Sequence, residues 1–199
     1  FELENLIEDI GAIVYELTKN TYEWGKTDQN LIEIPASIRG VYFRFHINNS
    51  KKIMEEFEET PIQSFFQHPF ILENCINDQN QIYYLEILVF DSGVGFIDKF
   101  IQKEDLTDLE VIKKCLVKNQ TSSTSNLKSK KGIGLDRILN ILNKKGFVKI
   151  STDKYCVYRD LIKDNYKPID LEKLKDLKLE DWNNDNFKTN NITKSRGSY

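Results

Sequence analysis

The stretch Tyr83-Tyr84-Leu85-Glu86-Ile87-Leu88-Val89-Phe90 runs directly into Asp91-Ser92-Gly93-Val94-Gly95. The first eight residues are almost all apolar, aromatic or β-branched, a pattern that predicts a buried strand. The five that follow predict a turn in which Gly93 and Gly95 tolerate positive φ and let a ligand approach the backbone closely. A carboxylate at the end of such a strand can accept a hydrogen bond from an exocyclic amine, such as that of adenine. Taken singly, the segment also reads as an ordinary Asp/Gly turn.

Upstream, Leu3, Leu6, Ile7, Ile10, Ile13, Val14 and Leu17 recur at the spacing of one helix face. This predicts an opening helix that runs to about Trp24 and stops at Gly25. Glu16 and Asn20 lie four residues apart on it, one turn above the other. A carboxylate there can activate water, and an amide oxygen suits a hard cation such as Mg²⁺. Alternation over Val41–Ile47 predicts a second strand. A charged helix follows from about Ser50, extending to about Phe66.

Downstream, Thr107 and Glu110 stand at capping-box spacing and predict a helix to about Lys118. Residues 119–131 (NQTSSTSNLKSKK) contain one large apolar residue and predict a mobile loop. Lys130-Lys131-Gly132-Ile133-Gly134-Leu135 then opens another helix, whose buried face carries Leu135, Ile138, Leu139 and Leu142. Unsatisfied N–H groups and the helix dipole favour an anion there, and small residues let phosphate come close. Gly146 ends that helix, Phe147–Ser151 predicts a short strand, and Leu171–Leu179 a further helix.

Composition bounds the rest. The chain has 199 residues, 40% hydrophobic and 30% charged, with a formal charge of −3, as expected for one globular domain without general affinity for nucleic acid or anionic membranes. Cys75, Cys115 and Cys156 are odd in number and far apart, which argues against a zinc site or a disulfide framework. A reducing, cytoplasmic setting is expected. No apolar run approaches the roughly 20 residues of a membrane helix, and no signal peptide is visible. The chain begins at Phe1 and ends Gly197-Ser198-Tyr199, and we read residues 1–199 as one domain excerpted from a longer protein.

The order of the three motifs carries more than each alone. A helix with Glu16-Leu17-Thr18-Lys19-Asn20, a strand ending in Asp91-Ser92-Gly93-Val94-Gly95-Phe96, a polar loop, and Lys131-Gly132-Ile133-Gly134-Leu135 opening a helix together resemble the GHKL superfamily of gyrase B, heat-shock chaperones, histidine kinases and MutL. The first segment is similar to its N-box, the second and third to its two glycine boxes, and Gly197-Ser198 to the late Gly-Thr before its last core strand. The chain departs from the pattern twice. Lys130 stands where the second box has its first glycine, and the stretch between Asn20 and Asp91 is longer than the family's.

The resemblance implies the Bergerat fold, an α/β (α+β) two-layer sandwich with a mixed, mostly antiparallel sheet and helices on one face. It implies ATP and Mg²⁺ as ligands. Asn20 would hold the metal, Glu16 would be the general base, and Asp91 would take the adenine amine with help from Ser198. Gly93 and Gly95 would let the nucleotide lie on the backbone. Lys130, Lys131, Gly132, Ile133, Gly134 and Leu135 would receive the phosphates under a lid formed by 119–131. Three activities fit: an ATPase driving a conformational or dimerisation change in a larger protein, a histidine-kinase catalytic domain, or a non-catalytic nucleotide sensor. Glu16 favours the first. Trp24 stands where kinases commonly carry His or Tyr, which weighs against the second. Partners expected are ATP or ADP, other domains of the same chain, and a second copy of it.

Overall fold

The computed structural model describes residues 2–30, 32–99, 106–117, 134–168 and 171–182. Among these the chain is mixed α/β. It has seven α-helices and two small antiparallel sheets, a two-stranded ribbon β1-β2 and a three-stranded sheet β3-β4-β5. The expected single sheet is therefore two sheets over the described residues.

Helix α1 (Glu2–Trp24) follows the apolar stripe and packs on α7 (Gly134–Leu142) and on β2 (Gln81–Asp91). β1 (Arg39–Asn49) pairs with β2 in full register, from Arg39 opposite Asp91 to Asn49 opposite Gln81. The expectation that β2 is buried is corrected. Of its side chains only Ile82 is fully covered, while Tyr83, Leu85, Leu88 and Phe90 are each 39–50% exposed. A two-stranded ribbon has two faces and two edges to cover, and the described residues supply cover at one end only.

That cover comes from the segment between β1 and β2. In place of one helix over Ser50–Phe66, it forms α2 (Ser50–Glu56), α3 (Pro61–Phe66) and α4 (Pro69–Asn74). Glu59 adopts φ +59°, and Pro61 and Pro69 occupy first helical positions, where a missing N–H costs nothing. Ile53, Phe65, Phe66 and Ile71 close over Ile82 as a core of their own. Phe147 of β3 reaches it edge-on through Phe65.

The rest of the core joins α6 (Asp108–Cys115), α7 and β3-β4-β5. Leu116, Val117, Leu139, Leu161, Tyr166 and Leu177 form its centre. The capping box is present at the start of α6, with Thr107 and Glu110 bonding each other's backbone N–H, and the helix ends at Cys115. β3 (Phe147–Thr152) pairs with β4 (Tyr155–Asp160), and the short β5 (Glu180–Asp181) pairs with β4. The helix expected near Leu171–Leu179 is a 3-10 helix over Leu171–Asp176. The three cysteines are free, and no helix among the described residues is long and apolar enough to cross a membrane.

Candidate functional site

Residues singled out in three distant segments meet along α1. Near its middle, Glu16 is buried to 9% exposure. It faces the first residue of α7: a Cβ placed on Gly134 would lie 2.8 Å from Glu16 Oε2. The other carboxylate oxygen, Oε1, stands 3.4 Å from Arg137 Nη1, one turn into the same helix. Glycine at 134 thus lets the carboxylate lie against the backbone, since a side chain there would displace it.

At the C-terminal end of α1 a second junction forms. The Gly25 N–H donates to the Thr21 carbonyl at 2.9 Å and closes the helix. Gly25 also abuts the Asp91 loop: a Cβ on Gly25 would fall 2.6 Å from Asp91 Cγ, and one on Gly93 would fall 2.8 Å from Gly25 Cα. Asp91 Oδ1 accepts the Gly93 N–H at 2.8 Å. Ser92 is tied to Ile38 in both directions, N–H to carbonyl at 2.9 Å and the Ile38 N–H to Ser92 Oγ at 2.8 Å. These hydrogen bonds make the loop an extension of the β1-β2 pairing. Asp91 is exposed over the described residues.

Gly95 begins α5 (Gly95–Lys99) at φ +83°, a left-handed value that disfavours side chains. A Cβ there would also meet Thr152 Oγ1 at 2.7 Å, the atom that accepts the Phe96 N–H at 2.9 Å. Gly95 therefore docks the loop on the β3-β4 hairpin. Ile97 anchors α5 beneath it, against Ile112 and Val157.

Sequence reasoning missed two members of this neighbourhood. Lys99 is buried, and its ammonium donates to Thr27 Oγ1 and to the Asp28 carbonyl at 2.7 Å. Burial lowers its pKa, partly offset by the negative charges of Asp28 and Asp91. Arg137 is the other. Neither stands at a position that the motifs single out; the fold brings Lys99 to the turn after α1 and Arg137, on α7, to α1.

Asn20 lies one turn beyond Glu16, between the two junctions, and its carboxamide bonds no described residue. No group of three His, Cys, Asp or Glu side chains suited to a metal ion occurs among the described residues. A Mg²⁺ ion at Asn20 would take most of its oxygens from phosphate and water, as Mg²⁺ in nucleotide sites does. The Leu135 side chain packs into the Leu139 and Leu161 core, so any contact it makes to an anion is through its backbone. Lys130, Lys131, Gly132, Ile133 and Ser198, and the 119–131 segment, lie outside the described residues.

From Glu16 to Gly25 is about 13 Å along the helix axis, at 1.5 Å per residue. One helix thus presents a carboxylate beside a helix N-terminus, an amide one turn on, and an aspartate-glycine loop at its end. Comparison of the chain with protein-family models, with curated proteins and with solved structures finds no match.

Proposed function

We propose that this chain binds Mg-ATP and hydrolyses it, as a GHKL-type ATPase domain of the Bergerat class serving a larger cytoplasmic protein. The observation that supports the reading best is the alignment along α1. Gly134 of the second glycine segment touches Glu16, and Asp91 and Gly93 of the first touch Gly25, at a separation on the scale of a nucleoside triphosphate. In this reading the adenine amine donates to Asp91, and the phosphates lie toward the first turn of α7. Asn20 would hold Mg²⁺ through its amide oxygen, and the ion would supply positive charge to the phosphates. Glu16 takes a proton from the attacking water. Its backing by Gly134 leaves the water-facing edge to be set by Arg137.

Calorimetric titration of Mg-ATP, with phosphate release measured in parallel, tests this. Wild type is expected to bind and to release phosphate. Asp91→Asn is expected to weaken binding about tenfold, the cost of one lost or reversed hydrogen bond. Glu16→Ala is expected to bind ATP at least as tightly as wild type and hydrolyse it about 10²- to 10⁴-fold more slowly. Label from γ-labelled ATP appearing on protein would replace hydrolysis by phosphotransfer, and binding with neither outcome would make the chain a nucleotide sensor. Equal ATP affinity in wild type and Asp91→Asn refutes the adenine assignment.

A further inference from the structure

One ion pair joins α1 to α7 and another joins α1 to the turn that follows α7, and they differ in kind. Lys145 Nζ and Asp9 Oδ2 meet at 2.7 Å, close and well placed. Arg137 Nη1 and Glu16 Oε1 meet at 3.4 Å through a single contact, with the arginine side chain half exposed and the carboxylate 11% exposed. Arginine forms its strong contacts bidentately, with carboxylate or phosphate. Here it makes one long contact and leaves most of its donors unused by Glu16. Helical side chains also lean toward the N-terminus of their helix. The guanidinium of Arg137 therefore sits over the first turn of α7, beside Gly134, against the same carboxylate.

We propose that Arg137 is a triphosphate sensor that restrains Glu16 while the site holds no terminal phosphate and leaves it when one arrives. This rests on the ATPase reading above and assigns it a residue that the glycine and N-box motifs do not contain. A terminal phosphate at the first turn of α7 offers Arg137 the two-oxygen partner that Glu16 does not provide at 3.4 Å. As the guanidinium turns to that phosphate, the buried Glu16 loses its cationic neighbour and keeps its place against Gly134, free to accept a proton from water. A diphosphate ends short of this position and leaves the Arg137–Glu16 contact intact. The base is released only when there is a bond to hydrolyse.

The alternative is that Arg137, like Lys145, only fastens its segment to α1, and the Asp9–Lys145 pair serves as the internal control. Dissociation constants for Mg-AMP-PNP and Mg-ADP are measured by calorimetry on wild type, Arg137→Gln, Arg137→Lys, Lys145→Gln and Glu16→Gln. Circular dichroism confirms that each is folded. Arg137→Gln is expected to weaken AMP-PNP about ten- to a hundredfold, the range of a charge-assisted hydrogen bond, and to leave ADP within about twofold. Arg137→Lys recovers part of the loss, and Lys145→Gln changes neither ligand. Glu16→Gln tightens AMP-PNP by removing the competitor for the guanidinium, and this gain disappears when combined with Arg137→Gln. An unchanged ratio of AMP-PNP to ADP affinity in Arg137→Gln, in a wild type that binds both, overturns the sensor and leaves the ATPase reading standing. Failure of wild type to bind either nucleotide overturns both.

Discussion

Replacing Gly134 by alanine is a perturbation whose effects on stability and on activity should separate. The new Cβ would stand 2.8 Å from Glu16 Oε2, whereas ordinary contacts begin near 3.4 Å, so one of the two must move by several tenths of an ångström. The backbone of α7 is held by Ile138 and Leu139 in the core, so the carboxylate moves. As the far end of a flexible side chain it yields by a torsional adjustment costing about 0.5–1.5 kcal/mol. Alanine regains up to about 1 kcal/mol of helix propensity, less at a first helical position. The two nearly cancel, and the melting temperature should stay within about 2–4 °C of wild type. Activity has no such compensation, since a base displaced by a fraction of an ångström to 1 Å loses about ten- to a hundredfold in rate. Gly11→Ala is the control on the opposite helix. Nothing lies within 4 Å of a Cβ there, so it should gain up to about 1 kcal/mol of stability and leave turnover unchanged. Thermal melts and steady-state phosphate release on both variants decide the matter. Wild-type turnover in Gly134→Ala would refute the placement of Glu16 as base. A melting temperature lowered by more than about 10 °C would refute the argument that the carboxylate is the part that yields.

Gly95→Ala should cost about 2–3 kcal/mol in chemical denaturation, combining a left-handed φ of +83° with a Cβ 2.7 Å from Thr152 Oγ1; a loss below about 0.5 kcal/mol would show that the loop relaxes freely. At alkaline pH, Tyr84 should govern part of the stability loss. Its buried hydroxyl has no hydrogen-bond partner among the described residues, and burial, followed by the charges of Glu56 and Glu86 against that of Arg44, pushes its pKa up to about 12 from 10.0. The unfolded chain therefore releases this proton first, so the contribution is whole below pH 10 and is lost as pH rises through about 12. Tyr84→Phe should flatten that decline in denaturant melts taken from pH 9 to 12, and an unaltered slope would count against it.

What the sequence determined by itself was local. The apolar stripe of α1, its end before Gly25, the Thr107–Glu110 capping box and the alternation in β1 depend on residues within about four positions of one another, so they are legible in a linear string. The motif residues Glu16, Asp91, Gly93 and Gly134 were legible for the same reason, as residue types suited to a task. Their meeting was not, and neither was the reason for two of the glycines. Gly25 read as a helix terminator, and Gly93 as a glycine that tolerates positive φ. In the structure Gly95 is the only described glycine with positive φ, and Gly25 is small because Asp91 and Gly93 press against it. Strand β4 was not read from the sequence, and it ends in two charged residues, Arg159 and Asp160. Both are buried, the guanidinium donating to the carbonyls of Lys178, Asp164 and Asn165 and the Asp160 carboxylate accepting the N–H groups of Ile162 and Lys163. The apolar run of β2 suggested burial, yet among the described residues its fully buried apolar side chain is Ile82, at one end of the ribbon. Lys99 against Asp28, and Arg137 against Glu16 across 121 positions of chain, were decided by where α5 meets the turn after α1 and by the packing of α7 on α1. A charge's partner depends on which distant segment folds beside it, and that is a property of the assembled core, which no short window of sequence contains.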